Sequence, residues 1–191
     1  MSELSNIIGI IAAVIALFAY IPYVQGTLSG KTKPNRASWI IWSGVGIIIA
    51  ASYVSAGATS TIWIPIINAF CITFVAFLSF KYGEGGWTTF DRVCLAASGI
   101  SLIFWFLSGS PLIALGINIL IDAIGALPTI KKTYYKPEEE NKVAWAIFFV
   151  AYAINLLAID KWNLEIYSYP MYIFALASIM MLLFIRPRHK P

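Results

Sequence analysis

Histidine, cysteine and charge are all scarce in this chain of 191 residues, which has one histidine, two cysteines and 12% charged side chains. The histidine, His189, sits in a basic tail. Cys71 and Cys94 both fall inside apolar stretches, where a free cysteine behaves as a small hydrophobe. No spacing among these residues suits a disulfide framework or a metal site. Metal, cofactor and histidine-based chemistry are therefore not expected, and no nucleophile with a base, or pair of acids, marks an enzyme. A soluble domain is about 25% charged and about 45–50% apolar, whereas this chain is 60% hydrophobic with a mean hydropathy of +0.80. A water-soluble fold of this length could not hide that much apolar surface. The phosphate-loop signature is missing too, because Gly30-Lys31-Thr32 would need a glycine where Gln25 stands. The amino terminus, Met1-Ser2-Glu3-Leu4, has an acid in place of a basic leader region and no small-residue cleavage site follows, so the first apolar run is expected to be retained.

What is present is a series of long apolar runs. A spanning helix needs about 20 predominantly apolar residues, and irregular backbone cannot face lipid. That criterion predicts an all-α integral membrane protein with seven transmembrane helices, near 6–24, 37–55, 62–80, 91–107, 111–130, 142–159 and 168–186. Ser108-Gly109-Ser110-Pro111 leaves room only for a turn between the fourth and fifth.

The loops between these runs sort by charge. Lys31, Lys33, Arg36, Lys81, Arg92, Lys131, Lys132, Lys136, Lys142, Arg186, Arg188 and Lys190 fall on one side, and Lys161 alone falls on the other. The net charge of +4 thus reports topology, with no nucleic-acid partner implied. The positive-inside rule predicts an outside amino terminus and a cytoplasmic carboxyl terminus. Trp63, Trp87 and Trp162 fall at the predicted interfaces. Glu138, Glu139 and Glu140 are expected to form a solvated loop patch that pairs loosely with nearby lysines, and Lys31, Lys33 and Arg36 to act chiefly as topology signals, with anionic-lipid contact as a minor addition.

The chain also repeats itself. At an offset of 106, Pro22 meets Pro128, Thr27 meets Thr133, Asn35 meets Asn141, Trp39 meets Trp145 and Ile41 meets Ile147, with Arg36 facing Lys142. Pro65 meets Pro170 at an offset of 105. A three-helix unit starts and ends on opposite sides of a membrane, so two parallel units need one extra span between them. The expectation is a 3+1+3 arrangement: a first repeat over residues 1–83, a linker helix within 84–110, and a second repeat with a basic tail over 111–191. A pseudo-two-fold axis along the membrane normal would leave a cavity between the repeats.

This pattern resembles the SWEET and PQ-loop transporter superfamily, in which two three-helix bundles are joined by a linker helix. In that family the first helix of each repeat ends in a proline, usually Pro-Gln. This chain has Pro22-Tyr23 and Pro128-Thr129, keeping the proline and lacking the glutamine. Single-repeat relatives often carry Pro-Ile-Ile followed by Asn-Ala in the third helix, as in Pro65-Ile66-Ile67-Asn68-Ala69 here. The resemblance implies that Asn68 is a substrate ligand and that Tyr53 is the outer aromatic of the second helix. No asparagine in the seventh helix mirrors Asn68, and the repeat mate of Tyr53 is Ile159. Nicotinamide riboside transporters share seven helices and a tryptophan-bearing second helix, so Trp39 and Trp145 do not separate the branches.

The remaining candidates come from the residues themselves. Asp122 is predicted near the centre of its helix, where an aspartate costs about 2.5–3.5 kcal/mol to insert. Such an acid faces the protein interior, either as a proton or cation site or as a protonated group bonded to a neighbouring helix. Asn118 lies one helical turn before it on the same face, and Asn155 is a further deep amide. Both are expected in the cavity with Asn68 and Asp122, interhelical hydrogen bonding being the alternative. Pro22 and Pro128 are expected hinges. Trp39, Trp42 and Trp145 are read as interface belt or gate, and Gly44, Gly46, Gly116 and Gly125 as close-packing positions. The function expected is alternating-access transport of a small polar solute, sugar-like or another small metabolite. Alternatives are a ligand-reading receptor or scaffold on the same fold, or a proton-coupled carrier of a cationic amino acid or vitamin. Expected partners are a small-molecule substrate and the lipid bilayer, in a bacterial or archaeal plasma membrane, with a homo-oligomer left open.

Overall fold

The computed structural model describes residues 2–55, 57–85, 88–107 and 111–186. Trp87, His189, Arg188, Lys190 and the turn at 108–110 therefore lie outside the described residues. Those described form seven α-helices: α1 (Ser2–Leu28), α2 (Arg36–Ser55), α3 (Trp63–Tyr82), α4 (Thr89–Leu107), α5 (Pro111–Tyr135), α6 (Lys142–Leu157) and α7 (Leu164–Ile185). A short 3-10 turn, Pro137–Glu139, precedes α6. Among the described residues there is no strand, only an isolated bridge between Asn35 and Glu84.

Several helices outrun their apolar cores, because hydropathy measures the lipid-compatible stretch and capping sets the backbone. α1 and α5 continue to Leu28 and Tyr135, past the expected ends at 24 and 130. Near these ends Thr27 donates to the Tyr23 carbonyl at 2.9 Å and Thr133 to that of Thr129 at 2.8 Å. At the start of α4, Thr88 Oγ1 accepts from the Asp91 amide at 3.2 Å while Asp91 Oδ2 accepts from the Thr88 amide at 3.1 Å, a reciprocal capping box. α7 begins at Leu164, not 168, because Asn163 caps it by accepting from the Ile166 amide at 3.1 Å.

The packing list has an internal symmetry. α1 packs on α3 and α6, α2 on α3 and α5, α5 on α7, and α6 on α7. Exchanging α1 with α5, α2 with α6 and α3 with α7 maps that list onto itself. α4 stands outside the exchange and packs on α5 and, less extensively, α2. Close approach is set by small residues at a few points. A Cβ on Gly125 would lie 2.6 Å from Ile41 Cγ2, and one on Gly9 would collide with the Ser60 carbonyl. Gly46 is in ordinary contact range of Ala69, whereas a Cβ on Gly44 or Gly116 would meet no atom of the described residues within 4 Å.

The exterior is as apolar as the interior. Phe70, Phe74, Phe77 and Phe80 form an exposed stripe along α3, and Ile100, Ile103, Phe104 and Phe106 do the same on α4. Soluble monomers rarely expose contiguous apolar surface on this scale. Three helices, within Glu3–Leu28, Trp63–Tyr82 and Leu164–Ile185, are long and apolar enough to cross a membrane, and Arg36–Ala51 and Lys142–Leu157 are shorter apolar segments. Trp63, 36% exposed, donates to Asn6 at 2.8 Å, and Trp162 is 70% exposed.

Candidate functional site

Two features concentrate polar chemistry: a cavity between the helices and a charged clasp at one end of them. Among the described residues, the cavity draws on every helix except α4. α1 contributes Tyr20; α2, Trp39 and Trp42; α3, Asn68 and Ile72; α5, Asp122; α6, Trp145, Phe148 and Tyr152; and α7, Tyr169, Ile173 and Leu176. Its volume is about 40 Å³, room for about three waters.

The repeat explains how these side chains converge. Asn35 and Asn141 cap α2 and α6, accepting from the Ser38 and Ala144 amides at 3.1 and 2.9 Å. Trp39 and Trp145 then each donate an amide back to the capping residue's carbonyl at 3.1 Å, which fixes both indoles at the same register. Trp42 and Phe148, also 106 apart, follow one turn later. Asn68 and Ile173 occupy equivalent places at the offset of 105. The rings interlock, with Trp39 and Trp42 edge to face at 5.4 Å, Trp145 and Phe148 at 5.9 Å, and Tyr20 and Phe148 at 4.8 Å.

The polar groups break that symmetry. Asp122 is buried, its Oδ2 accepts from the Tyr172 hydroxyl at 2.6 Å, and its carbonyl accepts from Trp42 Nε1 at 3.1 Å. Asn68 Oδ1 accepts from the Tyr20 hydroxyl at 2.9 Å. No lysine, arginine or histidine lines the cavity among the described residues.

Of the residues singled out from sequence, Asn68, Asp122, Trp39, Trp42 and Trp145 line the cavity, and Tyr53, Asn118 and Asn155 do not. All three lie toward the end where the α2–α3 and α6–α7 connections meet. Asn118 is four residues before Asp122, about 6 Å along α5, and Asn155 three beyond Tyr152, about 4.5 Å along α6. Both asparagines are buried with no hydrogen-bond partner for either amide atom among the described residues. Tyr53 is spent on structure, donating to the Ile166 carbonyl at 3.0 Å. Trp39 and Trp145 are 3% and 5% exposed, so they are not part of an exposed aromatic belt. Pro22 and Pro128 sit inside continuous helices and line no part of the cavity. Each marks a cross-tie between the repeats: Asn141 Nδ2 donates to the Pro22 carbonyl at 2.8 Å, and the Thr129 amide donates to Ser38 Oγ at 3.1 Å. The sequence reading missed Tyr20, Tyr152 and Tyr169. The signal for the latter two was available, since 145, 148 and 152, and likewise 169, 173 and 176, fall on single helical faces.

At the end of α1 and α5 the connections lock together. Lys132 Nζ lies 2.5 Å from Glu140 Oε2, both side chains almost wholly buried, and donates to the Lys33 carbonyl at 2.5 Å. Lys33 pairs with Glu139 through side chains at 2.7 Å and through its amide to the Glu139 carbonyl at 2.9 Å. These two residues are 106 apart, the offset of the sequence identities, so positions matched by that offset meet face to face. Trp145 Nε1 donates to Glu140 Oε1 at 3.3 Å. Arg36 reaches the Ser79 and Gly85 carbonyls at 2.9 and 2.6 Å, and Glu84 joins through Lys136 at 3.7 Å. The expected acidic patch does pair with nearby lysines, and Glu138 is exposed. Glu140, however, is not solvated: it is buried, with Lys132 and Trp145 satisfying its carboxylate, and Lys33 and Arg36 carry interactions beyond topology. Hydrogen bonding with Glu84 first, then with Lys33, holds the Glu139 carboxyl down at about 2. Burial, then the bond to Glu139, raises Glu84, and the bond to Glu139 raises Lys33.

Comparison of the chain with family models, with curated proteins and with solved structures finds no match. Among the described residues no cluster of side chains could hold a metal ion.

Proposed function

We propose that this protein is a membrane transporter that carries a small polar solute by alternating access. Its seven helices span the bilayer as two parallel three-helix repeats, α1–α3 and α5–α7, with α4 as the linker. The amino terminus is outside and the carboxyl terminus cytoplasmic. The reading places the chain near the SWEET and PQ-loop superfamily. The observation that carries it is the cavity between the repeats, lined by the equivalent pairs Trp39 and Trp145, Trp42 and Phe148, and Asn68 and Ile173. A site on a pseudo-symmetry axis is reachable from either side as one repeat rocks against the other. The clasp of Lys33, Lys132, Glu139 and Glu140 is then the closed cytoplasmic gate, and Asn68 and Asp122 contact the solute. Pro22 and Pro128 serve as hinges at the ties between repeats.

The test is uptake into proteoliposomes over a panel of glucose, arginine, thiamine and choline, with wild type, Asp122→Asn and empty vesicles. At least one solute should enter wild-type vesicles faster than empty ones, and Asp122→Asn should abolish that uptake. A solute that stabilises the purified protein but never crosses the bilayer would make it a receptor and end the transport reading.

A further inference from the structure

We propose that the cavity takes a small organic monocation with an alkylammonium head, an assignment that rests on the cavity being the transport site. Asp122 is the one carboxylate lining it, and no cationic side chain lines it among the described residues. The nearest buried ammonium on the same helix is Lys132, about 15 Å further along α5 and committed to Glu140. A buried carboxylate without a cation is costly, and a mobile cation removes that cost each time it binds. The rest of the lining fits the same ligand. Trp39, Trp42, Trp145 and Phe148 surround the space, and indole is the best aromatic partner for an ammonium group. Asn68 Oδ1 already accepts from Tyr20, Tyr172 is turned to Asp122, and the indole N–H groups of Trp39, Trp42 and Trp145 are taken by Tyr23, the Asp122 carbonyl and Glu140. Besides Asp122 itself, that leaves a sugar only the Asn68 amide nitrogen and the Tyr152 and Tyr169 hydroxyls of the lining. The cavity holds the equivalent of about three waters, on the order of 90 Å³ of liquid volume, which suits a methylated ammonium head.

The experiment compares choline, methylammonium, glucose and 3,3-dimethylbutan-1-ol, the neutral carbon isostere of choline. Thermal stabilisation of the purified protein reports binding, and tracer exchange in proteoliposomes reports transport. An alkylammonium probe should raise the melting temperature saturably, with the neutral isostere and glucose at least about tenfold weaker. Trp39→Leu and Trp145→Leu should each weaken it by about three- to thirtyfold, and Asp122→Asn should abolish it. If Asp122→Asn does not fold, the contrast between choline and its isostere in wild type decides alone. Equal binding of the isostere or glucose, or no binding of either ammonium, overturns the cation assignment. Exchange of glucose in that case would leave the transport reading standing. Choline that binds without exchanging would do the reverse, retaining the cation assignment and removing transport.

Discussion

The Lys132–Glu140 pair is the most consequential single contact outside the cavity. Both side chains are almost fully buried, at 2% and 0% exposure, so removing either partner strands a charge. Such losses run to about 3–5 kcal/mol, whereas replacing both partners by apolar residues is often close to neutral. Glu140→Ala and Lys132→Ala should therefore each lower stability strongly, and Lys132→Met with Glu140→Leu should lose far less than their sum. Denaturation of the four proteins in detergent checks this, and simple additivity would count against a paired burial. Lys33–Glu139 is a different kind of contact, half exposed and sensitive to pH. The Glu139 carboxyl is lowered from 4.5 to about 2, first by its hydrogen bond with Glu84 and then by that with Lys33, so its contribution is lost as pH falls toward 2. Lys33 is raised from 10.5, so its contribution is complete below about pH 10.5. The stability difference between wild type and Glu139→Gln should then shrink as pH falls below 4. A difference that persists at pH 2 would contradict it.

The helices divide into parts that could be read from sequence and parts that could not. Asn35 and Asn141 were legible as repeat mates, and the structure gives that identity its reason: both cap their helices and set the register of Trp39 and Trp145. Loss of a capping asparagine costs about 1 kcal/mol. Asn141→Ala should cost more than Asn35→Ala, because Asn141 also donates to the Pro22 carbonyl and to Thr32 Oγ1 at 3.3 Å. Equal melting temperatures for the two variants would argue against the cross-tie. The apolar runs located all seven helices, since hydropathy is a local property of the chain. Their true ends, and which deep amides reach the cavity, were not local. Asn118 and Asp122 share a helical face, yet one turn of rise separates a residue lining the cavity from one that does not. Glycine roles divided for the same reason. Gly125→Leu should destabilise by about 1–3 kcal/mol through overpacking against Ile41, and Gly116→Ala should stay within about 1 kcal/mol.

At the level of the whole molecule, the two halves share one packing scheme and differ in their polar groups. On the proposed transport reading, the shared packing scheme is what a rocking motion needs, and the asymmetry of Asp122 and Asn68 would give the site its chemical preference. The repeat was visible as a few scattered identities, but the tyrosines from α1, α6 and α7 that complete the cavity have no matching mates, so no internal comparison could find them. Lys33 and Glu139 are 106 apart and meet directly, and if the clasp is the proposed gate it must part for the cavity to open on that side. The most direct test is a Lys33→Cys, Glu139→Cys pair on a Cys71→Ala, Cys94→Ala background, with tracer choline exchange measured in proteoliposomes before oxidation, after oxidation and after reduction. The account predicts exchange that stops on disulfide formation and returns on reduction, whereas exchange that continues at full rate through the closed clasp would contradict it.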